Sequence, residues 1–186
     1  MSKSFFRCLI AVCVWFMCAV SPCSAQKFSI ATNLLDYANL GTLNLDFSYA
    51  LSQHWSVVAS AKYNPFIFKN GLMQNRQRCF AVGGRWWSWH TFSGFWLSSK
   101  MQYQEFNVGG IRSPQTREGD SYGVSLSGGY SYMIGRHFNI EAGLGLWGGW
   151  QKYVVYDCPR CGATREKGEK FFVLPNDIII SIAYVF

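Results

Sequence analysis

A chain of 186 residues with a formal charge of +7 is the size of one domain, and no stretch of it reads as an internal linker. Charged residues make up 15% and aromatics 18%, against roughly 25% charged in soluble domains, so the chain is short of the charge that dresses a water-facing surface. No basic run tracks a nucleic-acid backbone, which excludes nucleic acid as an expected partner.

Lys3 and Arg7 precede an apolar run from Cys8 to Val20, followed by Ser21-Pro22-Cys23-Ser24-Ala25. That order is a secretory signal peptide over residues 1–25, cleaved after Ala25. The run is shorter than the roughly 20 residues of a membrane-spanning helix. Pro22 is a poor neighbour for lipid attachment at Cys23. Cleavage removes four of the seven cysteines and leaves Cys79, Cys158 and Cys161; loss of Lys3 and Arg7 takes the charge from +7 to +5. Residues 26–186 are the expected mature domain.

From there the apolar residues alternate with period 2, and helical spacing does not recur. A weak strand runs near 27–35. Leu43, Leu45, Phe47, Tyr49 and Leu51 share one face of the next, and Trp55, Val57, Ala59, Ala61 and Tyr63 one face of the third. Weaker runs lie near 79–89 and 95–106. Over 122–134, Tyr122, Val124, Leu126, Tyr130 and Tyr132 oppose Gly123, Ser125, Ser127, Gly129 and Ser131. Phe138, Ile140, Ala142, Leu144 and Leu146 follow, and Ile178, Ile180, Ile182, Tyr184 and Phe186 close the chain. The expected fold is all-β, an eight-stranded antiparallel up-and-down transmembrane β-barrel. Connections near 52–54, 90–94 and 135–137 are short; those near 68–78, 108–119 and 157–170 are long. A soluble sandwich or lipocalin-like barrel has the same period, but its outer face would be rich in Lys and Glu. Here the second face is Ser, Gly, Asn and Ala, which suits a crowded lumen. Trp55, Tyr63, Trp150, Tyr184 and Phe186 fall where interfacial girdles belong. The expected address is therefore the outer membrane, with its lipids and lipopolysaccharide as surroundings.

Charges on the small, polar face are Asp46, Lys62, Arg85, Lys100 and Glu141, all placed toward the end that holds the termini. They read as a lumenal ion-pair network filling a narrow barrel, in preference to an ion path. His54, His90 and His137 fall in turns, remote from any serine that a lipid-modifying enzyme would activate at the outer rim. Cys158-Pro159-Arg160-Cys161 has the spacing of a zinc half-site or a redox pair. Zinc requires a second pair, and a redox role a βαβ context, so a small loop disulfide is favoured. That leaves Cys79 over, at a strand start. Lys69, Arg76, Arg78, Arg112, Arg117, Arg160, Arg165, Lys167 and Lys170 make the outer loops mildly basic, either solvated or facing lipopolysaccharide phosphates. No cofactor and no metal is implied. The expectation is a non-enzymatic barrel serving envelope integrity or surface contact, with a lipid-modifying enzyme and a narrow channel as alternatives.

Asn33-Leu34-Leu35, Asn39-Leu40-Gly41, Tyr63-Asn64-Pro65-Phe66, Gly128-Gly129-Tyr130, Asn139-Ile140-Glu141 and the closing Ile180-Ser181-Ile182-Ala183-Tyr184-Val185-Phe186 resemble, in that order, an uncharacterised Bacteroidetes-type family of small outer-membrane β-barrel proteins. The resemblance implies a signal peptide, a small barrel, no established enzymatic activity, and a neighbourhood of surface and fimbrial proteins. Val173-Leu174-Pro175-Asn176 departs from the Gly-Pro-Thr of that family, which leaves the start of the last strand open. The final Phe186 resembles the aromatic end that such barrels present to their assembly machinery.

Overall fold

The computed structural model describes residues 26–68, 73–110, 115–157 and 164–186, with only the backbone of 68, 176 and 177. Residues 1–25, and with them the signal peptide, lie outside the described residues. Eight strands follow in order: β1 (Phe28–Asn33), β2 (Leu43–Ala50), β3 (Trp55–Asn64), β4 (Met73–Trp87), β5 (Gly94–Gly109), β6 (Thr116–Met133), β7 (Phe138–Tyr156) and β8 (Thr164–Val185). Beyond β3, the two-residue segment Ile67–Phe68 pairs antiparallel with the start of β4. Each strand pairs antiparallel with the next, and β8 pairs with β1, so the sheet closes into a barrel without edges.

The stagger of that closure follows from the register. Ala31 faces Asp46, and the row continues through Ser60, Ala81, Gln102, Gly123 and Gly149 to Phe172 on β8. Ala31 itself faces Ala183 on that strand. The offset is about ten residues once the bulge between Gly145 and Leu146 is discounted, which for eight strands demands a tilt of roughly 40°.

The pleat then sorts the side chains. On β6, Ser121, Ser125, Ser127 and Ser131 are buried inside, while Tyr122, Val124, Leu126 and Tyr132 stand exposed outside. The other long strands repeat the pattern, so the interior is polar and the exterior apolar. An apolar cluster does lie inside, Trp87, Phe92, Trp96, Ile179 and Val185, and Trp147 and Phe172 make a second buried aromatic contact. Phe92 belongs to the β4–β5 turn and adopts φ +72°, a conformation unusual for an aromatic residue. Two buried donors hold it there, Ser131 Oγ at 3.1 Å and Asn139 Nδ2 at 2.6 Å, both donating to its carbonyl oxygen. The turn thereby folds its ring into the barrel against Trp87, edge-on at 5.7 Å.

Two expectations are corrected. The chain has a five-residue helix, α1 (Leu34–Ala38), where strand was expected to continue through residue 35. Asn33 caps it, its Oδ1 accepting from Leu35 N–H at 3.3 Å and from Ile180 N–H at 3.1 Å. The long connections are also shorter than the alternation suggested. β4 begins at Met73, β5 runs to Gly109, β6 begins at Thr116 and β8 at Thr164. Above the apolar zone both faces of these strands are polar, so backbone pairing continues where the hydrophobic pattern stops. The start of β8, left open by the resemblance, is settled with it.

Candidate functional site

All five charged residues expected inside do lie on inward-facing positions; Arg85, Lys100 and Glu141 are buried, Asp46 and Lys62 half-buried. They do not form one network. Arg85 Nη1 meets Glu141 Oε2 across the lumen at 3.0 Å, with both side chains almost wholly buried. The guanidinium also lies over the rings of Trp96, at 4.3 Å, and Trp87, at 5.3 Å. In a desolvated site such stacking adds to the ion pair. Trp87 Nε1 in turn donates to Ser56 Oγ at 3.0 Å. The Trp87–Phe92–Trp96 cluster is thus the floor on which the Arg85–Glu141 pair rests.

Lys62 turns to the opposite end. Its Nζ lies 3.1 Å from Asp36 Oδ2 on α1. Lys62 pairs in register with Cys79, six residues along β4 from Arg85, a separation of ~20 Å that no side chain spans. The expectation that all five charges gather near the termini is therefore wrong for Lys62, because β3 carries it to its far end. Lys100 lies between: its Nζ donates to Ser60 Oγ at 3.3 Å, and Ser60 faces Asp46 across β2 and β3. Asn64, also at the far end, ties down the loop after α1, donating to Thr42 Oγ1 at 2.9 Å and to the Leu40 carbonyl at 3.2 Å.

The histidines serve turns. His54 Nδ1 is 3.0 Å from the Trp87 carbonyl and His137 Nδ1 2.9 Å from that of Val185. His90 Nδ1 is 3.0 Å from Gln53 Nε2. Cys158 and Cys161 lie outside the described residues, as do Lys69, Arg112 and Arg160; Cys79 is buried on β4. The remaining basic residues expected in loops stand on strands. Arg165 lies 3.4 Å from Asp157, Arg78 3.9 Å from Glu105, and Arg117 and Lys170 both over Tyr153. Among the described residues no group of three metal-ligating side chains converges.

Outside, register builds two rows that the linear sequence does not display. Phe80, Tyr103, Tyr122, Trp150 and Phe171 face one another across β4 to β8. Two residues further along each strand stands a charged row: Arg78, Glu105, Asp120, Lys152 and Glu169. Lys152 Nζ meets Glu169 Oε1 at 3.0 Å. That hydrogen bond, reinforced by the carboxylate charge, holds the ammonium above the ordinary lysine range, beyond the aromatic row.

A family model described as "protein of unknown function (DUF3575)" matches residues 9–186. The chain belongs to the DUF3575 family. No curated protein is similar to it in sequence. Membership of DUF3575 adds no assigned activity, so the chemistry of this DUF3575 barrel rests on its own residues. Two of them escaped the reading of the sequence: Asp36, whose place after the capping Asn33 was the available signal, and Phe92, whose role depends on a turn conformation that no local pattern announces.

Proposed function

We propose that this protein is a non-enzymatic integral barrel of the bacterial outer membrane, with a filled lumen, serving envelope integrity or surface contact. The observation that carries this reading is the reversed polarity of the barrel, bounded by an aromatic row and then a charged row. Exposing that much contiguous apolar surface to water is unfavourable, whereas lipid accepts it. From Phe138 to Trp150 on β7 is twelve residue steps, ~40 Å along the strand and roughly 30 Å along the axis at that tilt. That matches the ~30 Å hydrocarbon core of a bilayer, with aromatics at its margins. Phe186 continues the pairing, its N–H donating to Phe28 O at 2.9 Å while its ring stacks on that of Phe28.

The lumen is closed at the end of the termini by the aromatic cluster and the Arg85–Glu141 pair, which favours a filled barrel over a channel. His54, His90 and His137 each hold a turn through Nδ1, which supports a role in shape. The test is electrophoretic mobility of membrane-extracted protein, unheated and boiled, with and without reductant. A compact barrel shifts only on boiling. An unshifted species in the soluble periplasmic fraction would overturn the membrane reading, and steady conductance in planar bilayers would overturn the filled lumen.

A further inference from the structure

The seam that closes the barrel is short. Pairing of β1 with β8 reaches no higher than Asn33 and Ser181, whereas the apolar zone of β8, set by its register with Phe138 and Trp150 on β7, runs from Tyr184 up to Phe171. The Asn33 side chain extends the closure by one step, to the Ile180 N–H and the Ile178 carbonyl. Above that, α1 stands beside β8, and among the described residues no hydrogen bond joins the two backbones. The upper half of the apolar zone of β8 therefore lacks a strand on its β1 side.

Hydrogen bonds show which backbone groups face that opening. Ile178 and Ile180 turn theirs to β1, while Val185 turns its N–H to β7, donating to the His137 carbonyl at 2.7 Å. Even residues of this stretch thus face β1 and odd ones β7. The bulge opposite Gly145 and Leu146 inserts one residue into β8 and reverses the parity, so above it Phe171, Val173 and Pro175 face the opening. Proline has no N–H, so the most deeply placed of the three leaves no donor bare in the apolar zone. Phe171 and Val173 present both N–H and carbonyl, which hydrocarbon alone leaves unpaired at high cost.

Behind the opening the lumen offers a further donor. Trp147, inward on β7 and 6% exposed, lies edge-on to Phe172 of β8 at 4.6 Å. Its buried Nε1 has no hydrogen-bond partner among the described residues. Leu174, the register partner of Trp147 on the inward side, is 50% exposed, so the inner face of β8 is not sealed at this level.

We propose that this opening holds one acyl chain of lipid A, the membrane anchor of lipopolysaccharide. The inference rests on the membrane reading above, which puts the upper half of the apolar zone in the outer leaflet. A plain hydrocarbon chain satisfies none of the polar groups at the seam. An amide-linked, β-hydroxylated chain of the lipid A kind carries donors and acceptors within its apolar body: its N–H or hydroxyl donates to the Val173 carbonyl, and its carbonyl accepts from Trp147 Nε1. The ester carbonyls of a diacyl phospholipid only accept.

The test is native mass spectrometry of the detergent-purified chain with equal amounts of lipid A and phosphatidylglycerol, which is also anionic but has no donor on its acyl chains, together with amide hydrogen exchange at Phe171 and Val173. Lipid A is expected to be retained roughly fivefold over phosphatidylglycerol, the discrimination of about one hydrogen bond, and to slow exchange of both amides. Trp147→Phe keeps a ring and removes the donor, and should take away most of that preference. Leu174→Trp, which fills the opening, should lower lipid A retention to that of phosphatidylglycerol. Trp150→Phe, at an outward ring on the same strand, should change neither readout. Each variant is first checked for the mobility shift on boiling. Equal retention of the two lipids, a preference unaltered by Trp147→Phe and Leu174→Trp in shifted protein, retention without amide protection, or a lipid-free dimer mass overturns the seam site alone. Absence of the shift in the unsubstituted chain overturns both this site and the membrane reading.

Discussion

Removing one partner of the Arg85–Glu141 pair tests whether the lumen is as dry as its packing implies. The two side chains are 6% and 4% exposed, so the Glu141→Gln substitution keeps shape and one acceptor while stranding a guanidinium charge. Stranding a buried charge in this way costs roughly 3–5 kcal/mol. The rings of Trp96 and Trp87 still face the cation, and the Gln oxygen still accepts, which places the expectation near the lower bound, ~3 kcal/mol. With a urea dependence of about 2 kcal/mol per molar, the unfolding midpoint of the barrel in lipid vesicles should fall by roughly 1.5 M. Tryptophan emission and the gel shift report the same transition. Replacing both charges by apolar groups, Arg85→Met with Glu141→Leu, should recover most of that loss, to within about 1 kcal/mol of the starting chain. Lys152→Met, which breaks the exposed Lys152–Glu169 pair, should leave the midpoint unmoved and serves as the control. A Glu141→Gln shift as small as that of the control, with no recovery in the double variant, would refute the dry-lumen reasoning and put water around Arg85.

Other perturbations separate wall from plug. A Cβ at Gly123 would lie 2.1 Å from the Gly148 carbonyl oxygen, and one at Gly149 2.1 Å from that of Tyr122. Gly123→Ala should therefore cost ~3 kcal/mol or more and lower the yield of the heat-shifted species, while Gly84→Ala should leave that yield unchanged. Phe92→Ala empties the centre of the terminal plug, and a loss of ~3 kcal/mol is expected, read as a lower urea midpoint; a midpoint unchanged within error would mean that the ring contributes no packing. Asn33→Ala removes the cap of α1 and two links to β8, Ile180 N–H to Oδ1 and Nδ2 to the Ile178 carbonyl at 3.2 Å, and should cost about 2 kcal/mol by the same assay.

What the sequence made legible, and what it hid, follows from where period 2 carries information. Tyr122, Val124 and Leu126 against Ser121, Ser125 and Ser127 disclose a strand, because its two faces meet different surroundings. At Arg117, Glu118 and Asp120, or at Arg165 to Glu169, both faces are polar, and the same antiparallel pairing leaves no trace in the pattern. Those stretches read as loops, although they are the rims of β6 and β8. Inward placement of Arg85 and Glu141 was available from parity. Their pairing was not, since they stand on β4 and β7 and meet across the lumen only after eight strands close with their particular stagger. Lys62 shows the same limit from the other side: its parity gave the correct face and its place near the end of β3 the far end of the lumen, but only the folded register brings Asp36 beside it. The charged and aromatic rows are the strongest case. Each draws its members from five strands, so no local window contains even two neighbours of a row. A barrel of this kind therefore writes its strand faces into the local sequence and its functional surfaces into the register, and substitutions that shift register by two residues, leaving every face intact, should be far more damaging to the exterior rows than to the fold itself.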